Sequence, residues 1–168
     1  MRQHPHLYQV NALIFTNRLS AKYGHALTLT TIPDSEWQTL SQLGFDLVWM
    51  MGVWQRSPEA RRLALASPGL RKEFDHILPG WSPDQVGGSP YAIYGYRLDP
   101  ALGQPDELAR LKDKLNRLGM GLILDFVPNH LAIDHPWTLS NPGRFVRGEL
   151  VDVEKHPEWF FPVSPNSY

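Results

Sequence analysis

Hydrophobic and polar positions change their period several times along the chain, and these changes predict strands that alternate with helices. Residues 7–15, LYQVNALIF, have the length and β-branched content of a first strand, although Gln9 and Asn11 interrupt the apolar run. Residues 45–54, FDLVWMMGVW, form a near-continuous apolar run, as expected of a parallel strand covered on both faces. Residues 122–127, LILDFV, predict a third strand.

Two segments between the predicted strands have helical periodicity. Residues 32–45 contain a proline and two acidic residues where a helix would start and a glycine after its last turn. The apolar positions of this first helix would share one buried face: Trp37, Leu40 and Leu43. Residues 104–121 predict a second helix with leucines at spacings of three and four: Leu108, Leu111, Leu115 and Leu118. Between them, residues 55–89 hold short helical patches broken by Pro and Gly, which predict an elaborated connection.

The order of these elements predicts an α/β fold. Strand, helix, strand, long connection with helix, strand is a repeated right-handed βαβ pattern, which gives a parallel sheet. Ligands of such folds bind at the carboxyl ends of the strands. Asp125, Asn129 and His130 follow the third strand at that end. They therefore either line a site or cap a turn in a structural hydrogen-bond network, and the pattern alone leaves both readings open.

Composition limits the kind of protein. The 168 residues, 42% hydrophobic and 20% charged, suffice for one ordinary domain core. The net charge of -1, without runs of like charge, argues against nucleic acid or an anionic membrane as partner. The lack of cysteine excludes disulfides and thiolate metal sites and fits a reducing compartment. Because no apolar run approaches the about 20 residues of a membrane span and no secretory h-region is visible, we expect a cytoplasmic protein.

The stretch LDFVPNH, residues 124–130, resembles a conserved region of the α-amylase family, glycoside hydrolase family 13. In that family an Asp-x-Val-x-Asn-His sequence ends the third strand of a (β/α)8 barrel. Three other segments are similar to the family in the same order: YQVNALIF to its first strand, LGFDLVWMMGVWQRSP to its first helix end and second strand, and GSPYAIYGYRLDP with the following helix to the approach to the third. The resemblance covers residues 7–137.

The resemblance implies a partial TIM-type barrel. Residues 1–130 would be the amino-terminal part of the catalytic barrel, with about three βα units out of the about 250 residues that a full barrel takes. Residues 131–168 are similar to the start of the loop domain inserted after strand three. A retaining glycosidase needs two carboxyl groups about 5 to 5.5 Å apart, and the family carries them on later strands. We therefore expect a truncated chain with no catalytic nucleophile or acid/base of its own.

Four residues receive roles from the resemblance. Tyr91 is similar to the tyrosine that stacks on the sugar at the cleaved position, with a turn-anchoring core tyrosine as the alternative. His130 matches the histidine that hydrogen-bonds that sugar's hydroxyls. Asp125 matches a carboxylate that supports the arginine beside the nucleophile. Asn129 matches the residue that ties the barrel to the loop domain and in some relatives binds calcium. One amide oxygen is far from the about six to eight ligands that calcium takes, so we assign no metal and no cofactor.

The resulting functional prediction is a portion of a retaining enzyme for α-glucosidic bonds, a hydrolase or a transglycosylase, that is inactive alone. Its partner would be an α-glucan, an oligosaccharide or an α-glucoside. One alternative is a catalytically dead glucan-binding module. A second is a metal-dependent hydrolase that uses His130, Asp134 and His135. A third, a self-contained doubly wound domain, is disfavoured because no Gly-rich phosphate loop follows the first strand.

Two further expectations concern exposed surface. An open strand edge in a three-stranded parallel sheet is a template for self-association, and the aromatic residues 159–161 would add exposed apolar area. Among the tryptophans, Trp37 and Trp49 lie on core-facing patterns. The others considered lie where strand ends and loops could reach a sugar: Trp54, Trp81 and Trp137.

Overall fold

The computed structural model describes residues 2–161, which divide into two compact units. Each unit is built from two separate stretches of the chain. The stretches are Met1–Gln55 with Gly95–Asn129 for unit 1, and Arg56–Tyr94 with His130–Tyr168 for unit 2. One of the boundaries falls after residue 129, close to the predicted start of the inserted loop domain. The functional division at residue 130 stays a prediction.

Helices and strands are found along most of the chain. In order they are β1 (Leu7–Asn11), α1 (Ala12–Tyr23), α2 (Asp34–Gln42), β2 (Leu47–Met51), β3 (Trp54–Arg56), α3 (Pro58–Ala66), α4 (Pro68–Ile77), β4 (Ile93–Leu98), α5 (Glu107–Arg117), β5 (Gly121–Leu124), α6 (Trp137–Ser140) and α7 (Leu150–Lys155). Within residues 2–161, no helix has the length and apolar character needed to cross a bilayer.

A three-stranded parallel sheet forms the centre of unit 1. Its strand order is β1, β2, β5, and both neighbouring pairs run parallel. Met50 lies opposite Val10 on one side and opposite Leu124 on the other. The α/β class and the parallel sheet predicted from the sequence are confirmed.

The buried face of this sheet packs against helices. Val48 and Met50 of β2 are fully buried, as are Trp37 of α2 and Leu111 of α5. Removing one such side chain from water contributes about 1.5 to 3 kcal/mol, so this face accounts for much of the stability of unit 1. The predicted apolar faces of both helices are confirmed except at Leu43, which is 68% exposed because it lies at the carboxyl-terminal cap of α2.

The first strand is shorter than predicted, so the prediction of a strand over residues 7–15 is wrong beyond Asn11. The Asn11 side-chain oxygen accepts a hydrogen bond from the Ile14 N–H at 3.2 Å and caps α1. A residue read as an interruption of the strand is therefore the start of a helix. Tertiary packing then holds α1, since Thr16 and Leu19 on its inner face are buried.

The second predicted strand is divided at Gly52. This buried glycine has a φ of 68°, a left-handed conformation that other residues adopt only at a cost. The chain therefore leaves the parallel sheet after Met51 and continues as β3, which pairs with β4 in a separate two-stranded sheet. The sequence pattern did not predict β4.

Unit 2 begins with two short helices that start in the same way. Ser57 and Ser67 are the N-caps of α3 and α4, and each is followed by a proline at the first helical position. The Ser57 Oγ accepts from the Ala60 N–H at 2.8 Å. These helices correspond to the helical patches predicted within the elaborated connection.

Candidate functional site

Asp125 lies at the carboxyl end of β5 and is only 8% exposed. Its Oδ1 accepts from the Trp49 Nε1–H at 2.7 Å, and its Oδ2 accepts from the Gly52 N–H at 2.5 Å. Its backbone carbonyl accepts from the Trp54 Nε1–H at 2.8 Å. Asp125 thus ties the end of β5 to the end of β2 and to the start of β3, all within unit 1.

These contacts still allow the supporting role expected of Asp125. An ionised carboxylate has about four acceptor positions, and two donors occupy one position on each oxygen. A further donor such as a guanidinium could be accepted as well. The prediction of Trp49 as a core residue is wrong, because its side chain is half-buried and hydrogen-bonds Asp125. The alternation of side chains along β2 indicates this, because Trp49 points to the face of the strand opposite to the buried Val48 and Met50.

Aromatic side chains hold the chain that follows Asp125. The Tyr96 hydroxyl donates to the Val127 carbonyl at 2.9 Å and accepts from the Val127 N–H at 2.8 Å. The Tyr96 ring lies 5.2 Å from that of Trp54 and 6.0 Å from that of Phe126. Phe126 is 77% exposed. The backbone leading to the exposed Asn129 is therefore fixed at Val127.

Tyr91 and His130 are brought together in unit 2, although 39 positions separate them in the chain. The His130 Nε2 lies 3.2 Å from the Tyr91 carbonyl oxygen. Because a carbonyl only accepts, Nε2 carries the proton, and a neutral imidazole then presents Nδ1 as an acceptor. His130 is exposed and Tyr91 is half-buried. The structure thus places the two residues predicted to contact a sugar side by side.

The loop after His130 is held by three further hydrogen bonds within unit 2. The Ala132 N–H donates to the Ile93 carbonyl at 2.9 Å. Asp134 accepts from the Ser57 hydroxyl at 2.5 Å and from the Glu59 N–H at 3.1 Å. Asp134 therefore supplements the cap of α3.

The structure gives no support to a metal site at His130, Asp134 and His135. The Asp134 carboxylate lies at the start of α3, where the Ser57 hydroxyl and the Glu59 N–H donate to it. Burial lowers the pKa of His135, and the charge of Asp134 opposes this effect only in part. The His135 Nδ1 accepts from the Trp137 N–H at 3.1 Å. In the described part of the chain, no three His, Asp, Glu or Cys side chains converge as metal ligands would.

The three tryptophans considered as sugar contacts have partners of their own. Trp54 donates to the Asp125 carbonyl, and Trp81 donates its Nε1–H to the Asp75 carboxylate at 2.7 Å. Trp137 is 43% exposed, and the guanidinium of Arg144 lies 4.8 Å from its ring centroid. The indole N–H groups of Trp54 and Trp81 thus have structural roles, and one face of Trp137 is covered by a cation.

The α-amylase resemblance is confirmed by comparison with known proteins. The family described as "Alpha amylase, catalytic domain" matches residues 34–167. The chain belongs to this family. A 1,4-alpha-glucan branching enzyme of Aquifex aeolicus is 34% identical in an alignment 123 residues long that covers 65% of this chain and 19% of that protein. One of Thermobifida fusca is 28% identical over 155 residues, covering 88% of this chain and 20% of the enzyme.

Solved structures of the α-amylase family share the fold. An alpha-amylase from Lactobacillus plantarum aligns with a TM-score of 0.53 at 23% identity, over 96% of this chain and 28% of the amylase. The parallel sheet with its helices therefore corresponds to part of an amylase TIM barrel. The chain spans about a fifth of the length of these branching enzymes.

Proposed function

We propose that Tyr91 and His130 bind the sugar in an α-amylase-family enzyme that acts on α-glucosidic bonds. The enzyme is either a hydrolase or a glucosyl-transferring enzyme. The observation that carries the proposal is the contact of His130 with the Tyr91 carbonyl. It joins the two residues that the family resemblance relates to sugar binding. The match to 1,4-alpha-glucan branching enzymes supports an α-glucan or a related oligosaccharide as the substrate.

Each residue then has a physical role. The Tyr91 ring would pack against the C–H groups of a sugar, and the Nδ1 of His130 would accept a hydroxyl proton. Asp125 would orient the neighbouring strand ends from its buried position, and Asn129 would hold the connection to the following loop. No metal or organic cofactor belongs to the proposal. The nucleophile and the acid/base lie outside these residues, so a polypeptide of the 168 residues binds sugar without turning it over.

His130→Ala is expected to weaken maltooligosaccharide binding about tenfold, because one hydrogen bond to a sugar hydroxyl is lost. Tyr91→Ala is expected to weaken it by a similar factor through loss of the ring face. His25→Ala is the matched control, since the exposed His25 places its Nδ1 3.1 Å from the Tyr23 carbonyl in a contact of the same kind. Calorimetric titration with and without EDTA measures the affinities, and EDTA should change none of them.

Two results would contradict the proposed site. One is an unchanged affinity in both the Tyr91 and the His130 variant. The other is an equal loss in the His25 control, which would show a general effect of removing an imidazole.

A cytoplasmic location, suggested by the lack of cysteine, stays a prediction that fractionation of the source cells checks.

We also propose that the 168-residue chain self-associates through the edge of its parallel sheet. Among the described strands of that sheet, β5 lies at one edge, and its four residues are all partly exposed. Ile123→Lys places a charge on this edge and is expected to weaken association about tenfold. Ile14→Lys, at a 58% exposed position of α1, is the control and should have no such effect. Sedimentation over a range of concentrations measures both, and a wild-type protein that stays monomeric throughout would refute this.

A further inference from the structure

Ser57 lies between β3 and α3 and is 1% exposed. Its backbone N–H and its hydroxyl both make hydrogen bonds. Its backbone N–H donates to the Ala92 carbonyl at 3.0 Å. Its hydroxyl donates to Asp134 Oδ1 at 2.5 Å while accepting from the Ala60 N–H at 2.8 Å. Ser57 therefore joins three segments of unit 2, the segment of Ala92 through its backbone N–H and the other two through its hydroxyl.

Two of these segments carry the proposed sugar contacts. Ala92 directly follows Tyr91, and Asp134 lies four positions after His130. The bond between the Ala132 N–H and the Ile93 carbonyl connects the same two segments a second time. The position of the imidazole relative to the tyrosine thus depends both on this direct bond and on the contacts made by Ser57.

A helix cap alone does not explain this arrangement. An N-cap serine needs only to accept a hydrogen bond, as Ser67 does from the Leu70 N–H at 3.4 Å at the start of α4. Ser57 caps α3 in the same way but also directs its own hydrogen to a carboxylate. A hydrogen bond to an ionised group is short and about twice as strong as a neutral one.

We propose that Ser57 is a positioning residue of the sugar site, which sets the distance between Tyr91 and His130 by binding Ala92 and Asp134 at once. This inference rests on the proposed function for its sugar ligand. Ser57 itself does not touch the sugar. It acts by keeping the loop of His130 against the segment of Tyr91.

Ser57→Ala is expected to weaken maltooligosaccharide binding about tenfold, because the Asp134 carboxylate loses its hydroxyl donor and the loop moves. Ser67→Ala removes an equivalent Ser-Pro helix cap and should change the affinity less than about twofold. Ser57→Thr keeps the hydroxyl and should restore most of the affinity. Combining Ser57→Ala with Asp134→Ala should weaken binding by less than the product of the two single effects, because both remove the same bond.

Amide hydrogen exchange gives a second measurement that needs no sugar. The Ala132 amide is expected to exchange about tenfold faster in the Ser57→Ala variant and at the wild-type rate in the Ser67→Ala variant. An unchanged rate in the folded Ser57→Ala protein overturns the inference. So does wild-type affinity for the sugar in that variant.

The two measurements separate this inference from the proposed function. If the folded wild-type chain binds no maltooligosaccharide, the proposed function fails, and the exchange rate of Ala132 still decides the role of Ser57. If the wild type binds and His130→Ala binds about tenfold more weakly, while Ser57→Ala binds normally, the proposed function stands and Ser57 has only a capping role.

Discussion

Replacing Asp125 by alanine is expected to lower the free energy of unfolding by about 2 to 6 kcal/mol, because two donors each lose their acceptor at about 1 to 3 kcal/mol. These donors are the Trp49 indole and the Gly52 N–H. Gly52 is buried and has a positive φ, so its N–H cannot turn to water without breaking the local backbone conformation. Against a domain stability of about 5 to 15 kcal/mol, the loss is large.

Denaturation in urea measures this effect. Asp125→Asn retains one acceptor oxygen and should cost less than Asp125→Ala. Trp49→Phe removes the donor of the hydrogen bond between Trp49 and Asp125. The variant that combines Trp49→Phe with Asp125→Ala should therefore lose less unfolding free energy than the sum of the two single losses. Asp113→Ala is the control at an exposed position of α5, where a change within about 0.5 kcal/mol is expected. A similarly small change in Asp125→Ala would contradict the structural role given to this carboxylate.

Glu107→Ala is expected to cost about 2 to 4 kcal/mol, since this side chain also satisfies two backbone donors. Glu107 is the first residue of α5 and is 5% exposed. Its Oε2 accepts from the Thr30 N–H at 2.9 Å and its Oε1 from the Gln104 N–H at 3.2 Å. The negative charge at the amino end of a helix adds a favourable dipole interaction.

The same carboxylate is expected to make stability fall in acid. Burial acts to raise the pKa of Glu107, but hydrogen bonds from Thr30, Thr28 and Gln104 outweigh it and hold the pKa below its usual value. Its contribution is therefore complete above the unfolded-state pKa and is lost as the pH falls through the folded-state pKa. Between about pH 7 and pH 3, the unfolding free energy of Glu107→Gln should fall less than that of the wild type. Parallel curves for the two proteins would contradict this.

The parallel sheet could be predicted because its signal is local. The apolar runs around Val48 and Ile123 are what a sheet buried beneath helices requires, and the helices between them have clear periodicity. Asn11 misled the prediction because an amide within an apolar run reads equally as a strand interruption and as a helix cap. Gly52 could not be placed either, since nothing in the sequence reports its φ.

The hydrogen-bond partners of the site residues could not be predicted from the sequence. Asp134 and Ser57 are 77 positions apart, and Trp49 and Asp125 are 76 apart, so only the folded backbone brings them together. The burial of Glu107 could not be predicted either, because it depends on the loop at Thr30. The expected roles of Tyr91 and His130 came from the family resemblance, and the structure adds their contact.

Calorimetric titration of the 168-residue chain with a maltooligosaccharide tests the central claim most directly, because it reports both binding and turnover. A saturable heat of binding that disappears in the combined Tyr91→Ala and His130→Ala variant, without any continuing heat of hydrolysis, is the expected result. A folded chain that gives no binding heat would contradict the sugar site. Sustained heat from turnover would show that these residues contain the catalytic carboxylates after all.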